Sequence, residues 1–317
     1  MRIPAKSPLP PPAALPSVPG WALPRGPVTD PLEAAYMAGA ALNALDNLVR
    51  GEPPWAGAWR QRVALSAAAS VARLLGHRED QVALRDAWHL RPPGADPGPA
   101  GNLLAAWRRL AARSPTIDAD GLRSLASLLG LAWAPAFESL PETVEAAATS
   151  ARPAPLAAAS AAGAVGAAAS GTEALAWWIA DLTLARRMRW PITVPVLATQ
   201  IHAPALRSGP GGRRHRPGGE GSEAALCLAA AAGAAEACRL AADIARRAAR
   251  LEAVAPKLRA KGAGEAIALL LEDDVVSGSL TTASLSRWAS RRLFERLVAL
   301  DAVHELSGRS TFRLYGL

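Results

Sequence analysis

The sequence predicts an all-α protein, a multi-helix bundle that ends in a small subdomain with two short strands. Hydrophobic residues make up 50% of the 317-residue chain; most are Ala and Leu, with only three Phe and two Tyr. This composition favours helices over sheets. Residues that start and end helices occur along most of the chain, and a pattern typical of a β-hairpin appears only near its end. The ten Trp residues are expected to be buried between closely packed helices.

The first predicted helix has clear start and stop signals. Asp30, Pro31 and Glu33 supply an N-cap, a first-turn proline and a capping-box carboxylate, and Gly51 ends the periodic segment. The same signals, with some ends set by proline, define the rest of the bundle. Helices are predicted at residues 31–50, 55–75, 78–90, 99–113, 118–129, 142–149, 155–169, 172–188 and 224–253.

Composition divides the chain into three parts. Residues 1–28 are rich in proline and contain no continuous apolar run, so we expect a disordered lead-in that is neither a signal peptide nor an anchor. Residues 29–255 form the predicted helical bundle, and residues 256–317 form the C-terminal subdomain.

Two alanine-rich runs, residues 156–169 and 224–237, resemble membrane spans in composition. Each is shorter than the roughly 20 residues that a span needs, and charged residues follow closely, so buried helices are expected and no membrane partner. Cys227 and Cys238 lie eleven residues apart in one predicted helix and cannot bridge each other there. This cysteine usage indicates a reducing compartment and predicts a cytoplasmic protein.

The formal net charge is +8, and much of the excess is local. Seven Arg and no acidic residue lie between Arg186 and Arg216. A loop near residues 207–221 combines Gly and Pro with Arg213, Arg214 and Arg216, and its composition predicts a mobile basic loop. These arginines are candidate polyanion contacts; the alternative is a solvated insertion loop.

The C-terminal part reads as helix, acidic turn, helix and hairpin. Ala263 to Leu271 is a first helix, and in the second, Ser286 to Leu300, an apolar stripe faces inward while Arg287 and Arg291 point the other way. Residues 303–306 are then expected to pair with residues 311–315 across a short polar turn that contains Gly. In that arrangement Phe312 and Leu314 would face the core, which leaves Arg309 and Arg313 free for phosphate.

A helix followed by a two-stranded wing resembles the end of a winged helix-turn-helix module, including those found in some bacterial filamentation-type adenylylation proteins. The resemblance implies DNA contacts from Arg287 and Arg291. The segment 275–282 departs from it, because a winged module needs a middle helix and this segment is short and contains Gly278. A structural or protein-docking wing is the alternative.

A second candidate site is a polar cluster around Asp86, His89 and Asp96. Asp86 and His89 are three residues apart on one helix face, and a buried carboxylate beside an imidazole could act as an acid-base pair. The sequence offers no nucleophile motif, metal-spaced cluster or nucleotide loop to accompany them, so neither cofactor nor metal is expected. The competing interpretation is an ion-pair network between helices.

Motifs along almost the whole chain resemble the bacterial domain-of-unknown-function family numbered 1403. They include Ala38 to Leu42, Pro53 to Gly57, Gly76 to Asp80, Ala255 to Gly264 and Phe312 to Leu317. The resemblance implies one coherent protein and assigns no activity.

Three hypotheses about function remain open. The first is a nucleic-acid-binding or regulatory protein that uses the C-terminal subdomain and the basic loop. The second is an interaction scaffold that docks or dimerises through alanine-rich faces. The third is a small-ligand enzyme centred on Asp86 and His89.

Overall fold

The computed structural model describes residues 15–92, 94–207, 213–258, 260–307 and 312–317. In these ranges the chain forms eleven α-helices and three short strands, which confirms the all-α fold class. The bundle helices are α1 (Pro31–Gly51), α2 (Ala56–Leu74), α3 (Gln81–His89), α4 (Gly98–Leu110), α5 (Ala119–Leu128), α6 (Leu140–Thr149), α7 (Ala154–Ala168), α8 (Glu173–Arg187) and α9 (Glu223–Val254). The C-terminal elements are α10 (Ala263–Glu272), β1 (Val276–Ser277), α11 (Arg287–Ala299), β2 (His304–Glu305) and β3 (Leu314–Gly316).

Local capping explains where several helices begin. The carboxylates of Asp30, Asp80 and Asp118 accept hydrogen bonds from backbone N–H groups two or three residues further along, at 3.1, 2.9 and 2.7 Å. Such bonds satisfy donors that the first helical turn leaves open. α3 starts at Gln81 rather than at the predicted residue 78 because Asp80 is its cap.

The core is one continuous layer of alanine, leucine and tryptophan between packed helices. α9 runs along α1, and α7 packs on α8. Trp59, Trp107 and Trp177 are fully buried, as expected from the composition, and the Trp59 indole donates to the Ala237 carbonyl at 2.9 Å. Small residues permit this close packing: a Cβ at Gly233 of α9 would lie 2.4 Å from the Val196 carbonyl oxygen.

The alanine-rich helices lie inside the bundle, as predicted. Among the described residues, one helical stretch, Glu223–Lys257, is long and apolar enough to cross a membrane. Its most apolar window is 72% buried within the protein. Burial of this kind is typical of a core helix.

Two predicted loops are described only in part. Residues 1–14 of the lead-in and residues 208–212 of the basic loop lie outside the described residues. Residues 15–28 run along the bundle, where Ala22 is buried and Trp21 stacks on Tyr36 of α1 with ring centroids 5.2 Å apart.

The C-terminal sheet has three strands where the sequence predicts two. β3 lies between β1 and β2 and is antiparallel to both, with Tyr315 opposite Val276 and Glu305. The hairpin of β2 and β3 is therefore confirmed, and the additional strand lies in the segment considered for a middle helix. Gly278 follows β1 directly, and a Cβ there would lie 2.7 Å from the Tyr315 ring. Strand pairing with β3 thus replaces the middle helix.

Candidate nucleic-acid interface

α11 is held against the sheet by its apolar stripe. The hydroxyl of Ser286 caps the helix by accepting from the Ala289 backbone N–H at 3.3 Å. Leu293, Phe294 and Leu297 are buried, and the Phe294 ring stacks on that of Tyr315 in β3 with centroids 4.7 Å apart. The outer face of α11 therefore has a fixed orientation relative to β3.

A groove of about 610 Å³ lies between α11 and β3, and we call it the wing groove. Its lining includes Arg287, Trp288 and Arg291 from α11, and Phe312 and Arg313 from the chain entering β3. Arg287 and Arg291 are exposed, in keeping with the prediction that they point away from the core. The described lining of the groove thus combines three guanidinium groups with two exposed aromatic rings and the buried ring of Tyr315.

Two of these arginines have acidic neighbours. Arg291 lies 3.5 Å from Glu295, one turn further along α11, and Arg313 lies 3.7 Å from Glu305 of β2. The pKa of Arg313 is raised by a hydrogen bond to Tyr315 and by the charge of Glu305. Arg313 is therefore partly offset by Glu305, rather than wholly free as the sequence led us to expect. The exposed side chain of Glu295 screens Arg291 only partly.

Phe312 and Arg309 are the remaining residues to which the sequence assigns a role in the predicted wing. Phe312 is 57% exposed, which corrects the expectation that it faces the core with Leu314. The strand begins only at Leu314, so the alternation of inward and outward side chains does not extend to Phe312. Arg309 lies outside the described residues.

A second groove of about 560 Å³ lies along the opposite flank of α11, and we call it the rear groove. Among the described residues, its charges come from Lys257, Arg292 and Arg296, and the rest of its described lining is apolar. In the described part of the chain, no carboxylate lies within ion-pair distance of these three cations or of Arg287. The sequence reading missed this flank, although the spacing of Arg292 and Arg296 by one helical turn was a usable signal.

A buried ionic cluster fixes the C-terminal elements on the bundle. Asp274, which follows α10, forms ion pairs with Arg62 of α2 and with Arg85 of α3, the latter at 2.7 Å. Its neighbour Asp273 accepts hydrogen bonds from both terminal nitrogens of Arg108 of α4, at 2.9 and 2.8 Å. Burial raises the pKa of Asp274, but the two arginines outweigh it, and the resulting pKa lies below the usual value.

His89 of the proposed acid-base site lies close enough to this ionic cluster for the charges of Asp273, Arg108, Asp274 and Arg85 to act on it. Burial, with help from Arg108 and Arg85 and against Asp273, lowers the pKa of His89 to about 4, so its imidazole is neutral near pH 7. Asp86 is buried, whereas Asp96 is exposed and accepts from Gly98 N and Asn102 Nδ2 at 2.9 and 3.2 Å. Asp96 therefore organises the start of α4. The contacts match the ion-pair interpretation better than the catalytic one.

The described arginines of the basic loop differ in how far an acidic neighbour offsets their charge. Arg214 pairs with Glu173 at the start of α8, and Arg216 lies 3.8 Å from the same carboxylate. Arg213 is exposed. Because Glu173 is 41 residues from Arg214 in the chain, no local pattern could reveal this compensation.

In the described ranges, no group of three or more His, Cys, Asp or Glu side chains could hold a metal ion. The geometry defines a helical protein that carries a cationic helix beside a three-stranded sheet. By sequence the chain belongs to the family described as "Protein of unknown function (DUF1403)", whose pattern matches residues 11–317. Searches of curated proteins and of solved structures found no match to the chain.

Proposed function

We propose that this protein binds duplex DNA through α11 and the adjoining sheet and acts as a regulatory protein. One observation carries the proposal: α11 presents cations on both of its exposed flanks, in the wing groove and in the rear groove. The thirteen residues of α11 include four Arg and one Glu.

The shape of duplex DNA explains why both flanks matter. A helix in the major groove has a phosphate backbone on each side, and contacts to phosphate fix its position. Arg287 and Arg291 reach one side of α11, and Arg292 and Arg296 reach the other. α11 is about 20 Å long at 1.5 Å per residue, which suits insertion across a groove about 12 Å wide.

Charges beyond α11 support the same partner. The net charge of +8 increases the encounter rate with a polyanion, and exposed Arg213 adds a distant contact. Arg214 and Arg216 contribute less because Glu173 offsets them. We place the protein in the cytoplasm, without a membrane partner. The free, buried Cys227 and Cys238 are compatible with that compartment.

The test measures binding to a labelled blunt duplex by fluorescence anisotropy between about 50 and 200 mM salt. Each lost phosphate contact lowers the slope of log affinity against log salt by about 0.9, so Arg287→Ala with Arg291→Ala should lower it by about 2. Arg78→Ala removes an exposed cation from the turn between α2 and α3 and serves as the matched control. Absence of binding at low salt, or an equal loss in the control, contradicts the proposal.

A second candidate function is docking of another protein or of a second copy. The alanine-rich faces largely pack within the bundle, but Leu32, Tyr36 and Trp21 form an exposed apolar patch at the start of α1, with 79%, 69% and 53% of their surfaces accessible. Contiguous apolar surface of this kind often marks protein contacts. If it mediates self-association, light scattering should show a dimer that Leu32→Glu converts to a monomer. A wild-type monomer at all concentrations excludes self-association.

A further inference from the structure

The wing groove contains two large aromatic side chains that are not buried. Trp288 is 72% exposed and Phe312 is 57% exposed, and both line the groove with Arg287, Arg291 and Arg313. Most Trp residues of this chain are buried in the core, and Trp288 is more exposed than Trp21, which is also exposed. Apolar surface exposed to water is unfavourable, so a partner that covers these rings lowers the free energy of the complex.

The neighbouring charges identify the chemistry of that partner. Three guanidinium groups attract phosphate, and exposed aromatic rings stack on nucleobases irrespective of sequence. In an intact duplex each base face is covered by the next base pair. A ring in the groove therefore reaches a base face without the cost of unstacking base pairs only where a base is unpaired.

We infer that the wing groove binds an unpaired base next to the duplex contacted by α11, so that partially single-stranded DNA is the preferred ligand. The inference rests on the proposed function and specifies its substrate class. An unpaired base stacks on Trp288 or Phe312, and its phosphates contact Arg287 and Arg291.

The two flanks of α11 support this division of roles. In the part of the chain that the structure describes, the rear groove has three cations and no aromatic side chain: its apolar lining consists of Leu258, Ala260, Ala289 and Leu293. That surface suits the phosphates of a paired strand. The wing groove alone adds the rings, and the stack of Phe294 on Tyr315 holds α11 in place beside it. The unpaired strand is thereby directed toward the wing side.

The experiment compares three labelled DNAs by fluorescence anisotropy on the full chain: a blunt duplex, the same duplex with a short unpaired tail, and the duplex with an abasic tail. The abasic tail has phosphates but no bases. We expect the tailed duplex to bind on the order of tenfold more tightly than the blunt one, and the abasic tail to give little of this gain.

Variants assign the gain to the groove. The double variant Trp288→Ala with Phe312→Ala should remove most of the preference for the tail, measured as the ratio of tailed-duplex to blunt-duplex affinity within the variant. Trp21→Ala removes an exposed Trp from the other end of the chain and should leave the preference intact. Since both groove side chains are exposed, these variants are expected to fold, and thermal melts check this.

Each result has a distinct meaning. If tailed and blunt duplexes bind equally, or an abasic tail gives the full gain, the inference fails while duplex binding by α11 stands. If no DNA binds at low salt, the proposed function fails, and the inference fails with it.

Discussion

At the scale of single residues, Asp274 shows how a charged group is tolerated in the interior. It is 2% exposed, and two guanidinium groups, from Arg62 and Arg85, approach its carboxylate. Arg62 also donates to the backbone oxygen of Leu317 at 3.2 Å. The carboxylate thus joins α2 to α3, and Arg62 extends the contact to Leu317, the residue after β3. Loss of its charge would leave two buried cations without a counterion.

Asp274→Asn should therefore lower the free energy of unfolding by about 3–5 kcal/mol at pH 7. The folded-state pKa of Asp274 is depressed, so its contribution is present above about pH 4, the usual Asp value, and is lost as pH falls through the lower folded pKa. Urea denaturation at pH 7 and at low pH measures both effects, and the difference from wild type should shrink in acid.

Asp96→Asn is the matched control, because Asp96 is exposed and makes only local hydrogen bonds. A change below about 1 kcal/mol is expected there. Equal losses in the two variants would mean that the buried ionic cluster adds no special stability.

At the scale of elements, what the sequence could predict depends on the range of the interactions. Asp30, Asp118 and Ser286 act on the helix that follows them, so caps reveal helices from local sequence. β1 is only two residues long and exists through pairing with β3, almost forty residues later. A two-residue strand is too short to show a periodic pattern, so local sequence could not predict β1.

The candidate interface follows the same division. Arg287 and Arg291 were predictable because helical periodicity alone places them opposite the buried stripe. The exposure of Phe312 depends on where β3 begins, and the partner of Arg214 depends on how α8 packs. Trp288 was misjudged for a different reason: abundance of Trp in a chain poor in other aromatics favours burial, but α11 has water on two flanks.

At the scale of the whole molecule, the bundle and the C-terminal elements form a close contact. Backbone approaches backbone at Gly57 of α2, where a Cβ would lie 2.6 Å from the Glu272 carbonyl oxygen. Arg108 pairs with Asp273, the residue after Glu272, and Arg250 of α9 pairs with Asp301 after α11. The bundle thus holds the segments on either side of α11, which offers a physical route by which events in the bundle could affect the DNA contacts that we propose for this helix.

Gly57→Ala tests this coupling, because its new methyl group cannot fit without moving α10 away from α2. We expect hydrogen exchange to show faster exchange of the β3 amides, while those of α8, which lies in the bundle core, keep wild-type protection.

Gly39→Ala is the matched control: Gly39 is an exposed helix residue with nothing within 4 Å of its added Cβ, and alanine there should stabilise the chain by about 0.5–1 kcal/mol. If β3 and α8 lose protection to the same extent in Gly57→Ala, the two parts unfold as one unit. If neither loses protection, the close approach at Gly57 does not control docking. Only selective loss in β3 identifies the contact between α2 and α10 as the point that positions the C-terminal sheet and α11.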